Sequence, residues 1–552
     1  MKRRKFIKNI VSGSAGAITL GGTPIRLLAG NEALKYAAAA SDNDNVLIFV
    51  QLHGGNDALN TLIPVHQYDE YYTYRANIAI PKQGLRKYID VDQSLPSDSQ
   101  IGLHPDMIFF KQLYDQGKAV IVQNVGYPGM NMSHFHGRDL VFMGLDGNDD
   151  ELGVRSGWMG RFLDYEYPGY PDDYPTEDMP DPIAIEIGSA DRGSSMSIAF
   201  HRENGIPIGL SIQSPDHFYN LINGVGVDDS LYYRPQGHAG DELEYIWQFE
   251  GMSNVYAERL AEVYNAGNNS SVDYPSEYPH QAPSNYIYNY LSEQLRLIAR
   301  LIDGGIKTKI FLCRLGGFDT HASQVVQQDS TYGTHAALLY HLSSSIKAFQ
   351  DDLANLGLEE KVVTMTFTEF GRRVYSNQSY GTDHGTSTPV FIFGSSLHGK
   401  VVGTNPDLSN LNNGNMQYNI DYRQIYASIV QDWFNSSPEA VEAAGFSEWT
   451  NQRINLFSPA SLNETYTSVP KVKCFPNPAT NLVNFQFYLH KSSGINIQII
   501  NSLGQKVLEK EFGRLHFGQQ TLNIDLSELD PGNYIYLIRG DTRIGTGKFI
   551  KY

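Results

Sequence analysis

The feature that most restricts the fold of this chain is a series of nearly continuous apolar runs, each followed at once by a polar loop. The runs are Asn45–Leu52, Ala119–Val122, Lys309–Leu315, Val362–Phe367 and Pro389–Phe393. Such runs are typical of strands buried on both faces, as in parallel sheets. Apolar residues spaced three and four apart predict a helix over 335–356 that stops at Gly357. Strand 309–315, this helix and strand 362–367 therefore predict a right-handed βαβ unit.

Polar residues with metal-binding or nucleophilic side chains follow these strand ends. They are Asp57, Ser133, Asp319, His321 and Glu369, with His384 in a later Gly-Thr-Asp-His-Gly segment. Each motif is weak alone, because an isolated Asp-Thr-His more often forms a capping turn than a metal site. In open α/β sheets, however, ligands bind beyond the carboxyl ends of the strands. The sequence therefore predicts that these side chains meet on one rim of one sheet.

Taken in order, the loop motifs resemble a known family. They are His-Gly-Gly-Asn-Asp from His53, Ser-His-Phe from Ser133, Gly-Gly-Phe-Asp-Thr-His from Gly316, Thr-Glu-Phe-Gly-Arg-Arg from Thr368 and Gly-Thr-Asp-His-Gly from Gly381. Over roughly residues 45–457, this series resembles the domain of unknown function 1501 family. That family in turn resembles the alkaline phosphatase and sulfatase superfamily. The resemblance implies a three-layer α/β/α fold of alkaline phosphatase-like type, with a mainly parallel sheet and a two-metal site on its rim.

The resemblance also implies roles for individual residues. The implied metal ligands are Asp57, Asp319, His321, Glu369 and His384. Ser133 matches the nucleophile by order along the chain, although a helix cap before Phe135 explains it equally well. Arg372 or Arg373 would hold an anionic ester by its planar fork, or would form a structural ion pair. His134 would serve as an extra ligand or a proton donor.

One departure from the superfamily pattern bears on the number of metals. Phe370 follows Glu369 where a second histidine ligand is expected, so both a one-metal and a two-metal site stay open. Carboxylate oxygen with imidazole nitrogen suits Zn²⁺, Mn²⁺ or Mg²⁺. The implied function is hydrolysis of phosphate or sulfate esters by a divalent metal and Ser133. The alternative is a non-catalytic surface protein that binds glycans or partner proteins on a degenerate hydrolase scaffold.

Both ends of the chain resemble export signals. Arg3-Arg4-Lys-Phe-Ile-Lys, followed by a weakly apolar run to Leu20, resembles a twin-arginine signal and implies a folded passage through the twin-arginine translocase. From Lys473 the chain predicts a small all-β sandwich of short alternating strands and tight turns. Its Pro-Asn-Pro-Ala-Thr, Leu-x-Pro-Gly-Asn-Tyr and terminal Lys-Phe-Ile-Lys elements resemble a type A sorting domain of the type IX secretion system. A carbohydrate-binding or adhesive β-module is the alternative for this tail.

Composition fits an exported chain and excludes several partners. The net charge of −18 argues against nucleic acid and anionic membranes as partners, and the two cysteines do not form a disulfide framework. No run after Leu20 is long enough to span a membrane. The expected organisation is a signal over 1–41, an α/β domain over 42–457 with a helical insertion near 200–305, a linker over 458–472 and a sorting domain over 473–552. An outer-membrane surface or extracellular location follows.

Overall fold

The computed structural model describes most of the chain. The described residues are 17–20, 23–26, 44–148, 155–171, 173–188, 196–223, 256–457, 472–489, 493–501, 505–516, 518–539 and 543–552. The Arg3-Arg4 pair lies outside them, as do nearly all of the expected linker and residues 224–255 of the expected helical insertion. Residues 41–461 form one compact unit, and 462–552 belong to a second. No helix within the described residues is long and apolar enough to cross a membrane.

The larger unit is built on a nine-stranded sheet. In chain order the strands are β1 (Val46–His53), β2 (Ala119–Gly126), β3 (Ala184–Ile187), β4 (Leu210–Ile212), β5 (Ile310–Gly316), β6 (Val362–Phe367), β7 (Thr388–Phe393), β8 (Val401–Val402) and β9 (Ile420–Asp421). They pair in the order β8-β2-β7-β6-β1-β5-β3-β4, and β9 also pairs with β2. Strand β1 is parallel to both β5 and β6, which confirms the predicted parallel βαβ unit.

Within this sheet, β7 runs antiparallel to both of its neighbours, β6 and β2. The reason lies in the segment before it. After β6 the chain forms a hairpin of Gly371–Ser376 and Thr382–Gly385 beyond the carboxyl end of the sheet, and it re-enters the sheet from that side. The carboxyl ends of β1, β2, β5 and β6 therefore lie on one edge, together with this hairpin.

Helices flank the sheet. Their bounds are Ala58–Thr61, Tyr68–Arg75, Ile108–Asp115, α1 (His134–Met143), Trp158–Glu166, Pro215–Ile222, 256–266, Tyr290–Asp303, α2 (Thr334–Leu356), Tyr422–Ser428 and Pro438–Ala444, with a π-helical turn at Ile429–Trp433. Helix α2 matches the predicted helix, and Gly357 ends it in the left-handed conformation that glycine adopts without strain (φ 71°).

Aromatic contacts show that both faces of the sheet are covered. On β1, Phe49 contacts Trp158 and the ring of Tyr426. Phe391 on β7 contacts Phe110 of the helix Ile108–Asp115. The pairing register puts Phe49 beside Met365 and Ile392, so Phe391 points to the opposite face because side chains alternate along a strand. The expected three-layer α/β architecture is confirmed.

The second unit contains two antiparallel sheets. One consists of Lys473–Phe475, Leu482–Leu489 and Gly518–Asp525, and the other of Lys506–Leu515, Ser493–Asn501, Gly532–Arg539 and Arg543–Lys551. Phe485 from the first sheet and Ile497 and Phe549 from the second belong to one buried cluster. The predicted all-β sandwich is therefore confirmed. Near the N-terminus, Ala17–Leu20 pairs antiparallel with Thr23–Arg26.

Candidate metal centre

Three histidines and one aspartate converge beyond the carboxyl edge of the sheet. Asp319 and His321 come from the loop after β5, His384 from the hairpin after β6, and His134 from the first turn of α1. The Asp319 carboxylate lies at the centre, with Oδ1 3.3 Å from His321 Nε2 and 3.4 Å from His384 Nε2. Its Oδ2 lies 3.3 Å from His134 Nε2. His321 Nε2 and His384 Nε2 are 2.8 Å apart.

These separations fit a shared ion. Ligand atoms about 2.0–2.1 Å from a tetrahedral Zn²⁺ lie roughly 3.3 Å from one another. The ligand atoms of His134, Asp319 and His384 all fall within 4.8 Å of one another. The donor set of imidazole nitrogen and carboxylate oxygen is one that Zn²⁺ and Mn²⁺ accept.

The second ring nitrogen of each histidine is occupied by a partner outside the cluster. His134 Nδ1 lies 2.8 Å from Glu369 Oε1, His321 Nδ1 lies 3.2 Å from Asp383 Oδ1, and His384 Nδ1 donates to the Met132 carbonyl at 2.7 Å. All three partners are acceptors, so they favour the tautomer with hydrogen on Nδ1 and a lone pair on Nε2. Metal-ligating histidines are oriented in this way.

The histidine Nε2 lone pairs are therefore directed toward the Asp319 carboxylate. His134 Nε2 is buried and makes no hydrogen bond within the described part of the chain. His321 Nε2 and His384 Nε2 face each other with lone pairs unless a proton or a cation lies between them. A single cation between His134 Nε2, His384 Nε2 and the Asp319 carboxylate, whose ligand atoms all lie within 4.8 Å of one another, would satisfy these three groups together.

The charges around the cluster keep its carboxylates ionised. Burial opposes ionisation of Glu369, but the hydrogen bond from His134 and the charge of His53 lower the pKa of that carboxyl below its usual value. Burial likewise opposes ionisation of Asp319, and the Arg372 guanidinium lowers its pKa. The hydrogen bond to Glu369 raises the pKa of His134, whereas burial lowers the pKa of His384.

Glu369 lies behind the cluster. The sequence predicts it as a ligand, but its side chain is fully buried, and its Oε1 accepts from the Gly54 amide at 2.8 Å as well as from His134. An oxygen that already accepts from both an amide and an imidazole is suited to orienting His134. In this geometry Glu369 supports a ligand and does not point into the site.

Asp57 is not brought to the cluster either. The sequence predicts it as a ligand, yet its carboxylate is 1% exposed and both oxygens accept from Arg75 Nη1, at 2.8 and 2.7 Å. Gln324 Nε2 donates a further bond to Oδ2 at 2.6 Å. Burial alone would raise the pKa of Asp57, but the Arg75 charge holds it below its usual value. These partners satisfy the carboxylate without a metal.

Arg372 faces inward. Its Nε donates to the Gly55 carbonyl at 2.8 Å, and its Nη1 to the Thr382 carbonyl at 3.0 Å. Its Nη2 donates to Asp319 Oδ1 at 2.8 Å and also to the Gly54 carbonyl. The residue is 1% exposed. Its guanidinium therefore holds Asp319 and the Gly-Gly loop in place. Of the two roles that the sequence leaves open for Arg372, a substrate contact and a structural ion pair, this geometry corresponds to the ion pair.

Ser133 stands at the N-cap of α1, beside His134. Its side chain makes no capping hydrogen bond, and the residue is exposed. The preceding Met132 holds His384 through its carbonyl, so Ser133 lies one residue from a contact of the cluster. The sequence named His134 only as an extra ligand or proton donor. The feature of the sequence that could have indicated His134 as a ligand is its position next to Ser133, at the start of a helix that follows a strand end.

Comparisons with known proteins agree with part of this description. Residues 266–438 match the family described as Protein of unknown function (DUF1501), a shorter stretch than the 45–457 expected from the motifs, and 473–552 match the Secretion system C-terminal sorting domain. Asp319, His321, Glu369 and His384 fall in the first match, whereas His134 lies outside it. No curated protein matches the chain.

Some solved structures are distantly similar. The lipoteichoic acid synthase from Listeria monocytogenes is 11% identical, with 72% of each chain covered and a TM-score of 0.26. The alkaline phosphatase from the Antarctic bacterium TAB5 is 9% identical, covering 64% of this chain and 92% of that one, with a TM-score of 0.25. A Bacteroides thetaiotaomicron protein of glycosaminoglycan metabolism is 10% identical over 92% and 89%, with a TM-score of 0.27. Likeness at this level carries no argument about chemistry.

The sorting domain, in contrast, fixes the destination of the chain. A C-terminal domain of this kind is recognised by the type IX secretion machinery and directs export to the cell surface or the extracellular space. Residues 266–438 match the DUF1501 family model, and residues 473–552 match the C-terminal sorting domain of that secretion system.

Proposed function

We propose that the α/β unit of this exported chain is a metal-dependent hydrolase of phosphate or sulfate esters. The observation that carries the proposal is the convergence of His134, His321 and His384 on the Asp319 carboxylate, with Nε2–oxygen separations of 3.3–3.4 Å. Their Nδ1 atoms are bound elsewhere, so the Nε2 lone pairs are available to an ion. Three imidazoles favour Zn²⁺ or Mn²⁺ over Mg²⁺, which prefers oxygen ligands.

A bound ion would supply Lewis-acid stabilisation of an ester oxygen and would lower the pKa of a hydroxyl in contact with it. The chain itself supplies the orientation. Glu369 holds the His134 ring through Nδ1, and Arg372 holds the Asp319 carboxylate. Asp319 and His321 are 48% and 46% exposed at their side chains, which leaves an ester access to them. Ser133 would attack phosphorus or sulfur with its exposed hydroxyl while the leaving oxygen departs on the opposite side.

Delivery forms part of the same proposal. The Arg3-Arg4 motif would take the folded chain through the twin-arginine translocase, and the sorting domain then engages the type IX machinery. Folding before the first membrane would allow the metal to be loaded inside the cell. This order suits an enzyme that acts on esters at the cell surface.

A non-catalytic surface binding protein is the second candidate, and one observation favours it. Arg372, a residue expected to bind an anionic ester, is buried and bonded to four backbone carbonyls in addition to Asp319. A site without a free guanidinium would bind such an anion less firmly. A binding protein of this kind would hold a metal without turnover, or would hold none.

Metal content of the purified α/β unit, without signal and tail, separates these candidates. We expect one or two equivalents of Zn²⁺ or Mn²⁺ by elemental analysis, lost in His384→Ala and retained in the control His398→Ala, which alters an exposed histidine. Ser133→Ala should keep the metal and lose hydrolysis of aryl phosphates and sulfates. Absence of metal after reconstitution would refute the hydrolase. Full occupancy without turnover on a panel of phosphate, sulfate and phosphonate esters would favour the binding protein.

A further inference from the structure

A buried glutamine lies directly beneath the candidate metal centre. Gln324 is 0% exposed, and its Oε1 accepts from Thr320 Oγ1 at 3.0 Å and from Thr382 Oγ1 at 2.8 Å. Thr320 stands between Asp319 and His321, whereas Thr382 begins the strand that carries His384. One amide oxygen therefore joins the two segments that carry three of the four candidate ligands.

The orientation of this amide is set by charge. Gln324 Nε2 donates to Asp57 Oδ2 at 2.6 Å, so the amide nitrogen faces a carboxylate and the oxygen faces the two hydroxyls. A flipped amide would turn its oxygen against the ionised Asp57. Asp57 is itself held by Arg75. The buried ion pair thus selects the rotamer in which Gln324 accepts from both threonines.

Backbone hydrogen bonds bring the same segments together, but at other points. The Thr382 amide donates to the Thr320 carbonyl at 3.0 Å, and the Gln324 amide donates to the Tyr380 carbonyl at 2.9 Å. These bonds fix the pairing of the segments. Arg372 also bonds both Asp319 and the Thr382 carbonyl, and the side chain of Gln324 adds a further contact to each segment, from Thr320 and from Thr382, which restricts how the segments rotate relative to each other. The His321 Nε2 to His384 Nε2 separation of 2.8 Å depends on that rotation.

We propose that Gln324 is a positioning residue of the metal centre, whose amide sets the spacing of His321 and His384 and is itself oriented by Asp57. The proposal rests on the proposed function for the metal but assigns a role that the ligands alone do not define. A ligand pair held to within a few tenths of an ångström binds an ion more tightly than a pair that must first be ordered.

The test is Gln324→Leu in the full chain, with Gln350→Leu as a matched control. Gln350 is also 0% exposed, and its side-chain atoms make no hydrogen bond to described residues. Co²⁺ and Zn²⁺ are titrated against a competing chelator, with the visible spectrum of Co²⁺ as a report on ligand geometry. We expect affinity to fall about 10–100-fold in Gln324→Leu, with an altered spectrum, and to stay unchanged in Gln350→Leu. Unchanged affinity and spectrum in Gln324→Leu would overturn the proposal.

A metal-free measurement keeps this result separate from the proposed function. Hydrogen–deuterium exchange is followed over segments 319–322 and 381–385 of both variants, with no ion added. We expect faster exchange in Gln324→Leu than in Gln350→Leu, because the hydrogen bonds of the Gln324 side chain to Thr320 and Thr382, the tether between the segments, are lost. If the wild-type protein binds no metal, the proposed function fails, and equal exchange in the two variants would refute the tether independently.

Discussion

The buried ion pair of Asp57 and Arg75 offers the sharpest test of how this site is supported. The two side chains are 1% and 0% exposed, so Arg75→Met would leave a carboxylate buried without its cation. Removing one member of a buried pair costs about 3–5 kcal/mol. Arg75 also donates to the Val374 carbonyl at 2.9 Å and to the Arg373 carbonyl at 2.6 Å. Each carbonyl left unpaired adds about 1 kcal/mol, so we expect a loss of about 5 kcal/mol or more.

Urea denaturation of the α/β unit measures this loss. The control is Arg453→Met, which breaks the partly exposed pair with Asp432 and should cost about 1 kcal/mol or less. Replacing both members, in Asp57→Leu with Arg75→Met, should recover part of the stability, because no charge then stays buried alone. The reasoning would be refuted if Arg75→Met lost less than about 1.5 kcal/mol of unfolding free energy. It would also be refuted if the double variant lost more than the two single variants lose together.

Three further changes test other contacts of the site. Glu369→Gln removes the charge behind His134 and should weaken Zn²⁺ binding about 10–100-fold in a chelator competition, whereas Glu186→Gln, another buried carboxyl, should not change it. Gly54→Ala should lower the melting temperature and the metal affinity together, because its Cβ would lie 2.2 Å from the Asp319 amide at a φ of 122°. The pKa of Asp57 in the folded protein is held below its ordinary 3.8, so the stabilisation by its ionised form is complete above pH 3.8 and is lost as the pH falls through the folded pKa. Asp57→Asn should therefore make the free energy of unfolding depend less on pH in the acidic range.

The sheet could be predicted from the sequence because burial on both faces leaves a direct mark on composition. Val362–Phe367 was predicted with the bounds that the structure has, and the strand predicted over Lys309–Leu315 is shifted by one residue, to Ile310–Gly316. Helix 335–356 was found from its apolar spacing. The order of the nine strands could not be predicted in this way, because it depends on which strands pair after each crossover connection. Strands β8 and β9 are only two residues long and show no recognisable sequence pattern.

The roles within the site were harder to predict, because ligands and supporting groups use the same residue types. Asp57 and Asp319 both follow a strand end and both pair with an arginine, but Asp57 is buried with Arg75 whereas Asp319 stays half exposed beside Arg372. The sequence predicts Glu369 as a metal ligand, but its contact with His134 could not be inferred. That partner, His134, follows a loop with no apolar period, so its approach to Glu369 depends on tertiary structure alone.

Exposure distinguishes the two kinds of residue. The carboxylates of Asp57 and Glu369 are 1% and 0% exposed and are neutralised by buried donors, whereas that of Asp319 is 48% exposed and keeps one oxygen, Oδ2, facing His134 Nε2. Under the proposed function, a ligand that exchanges water for an ester has to remain accessible, and accessible loops are mobile unless the residues beneath them are held in place. Here the rigid part is the buried layer of Asp57, Gln324 and Arg372, all tied to segments that carry the ligands. The same layer gives the buried carboxylates of Asp57 and Glu369 a role outside the candidate cluster: Asp57 orients Gln324, and Glu369 orients His134.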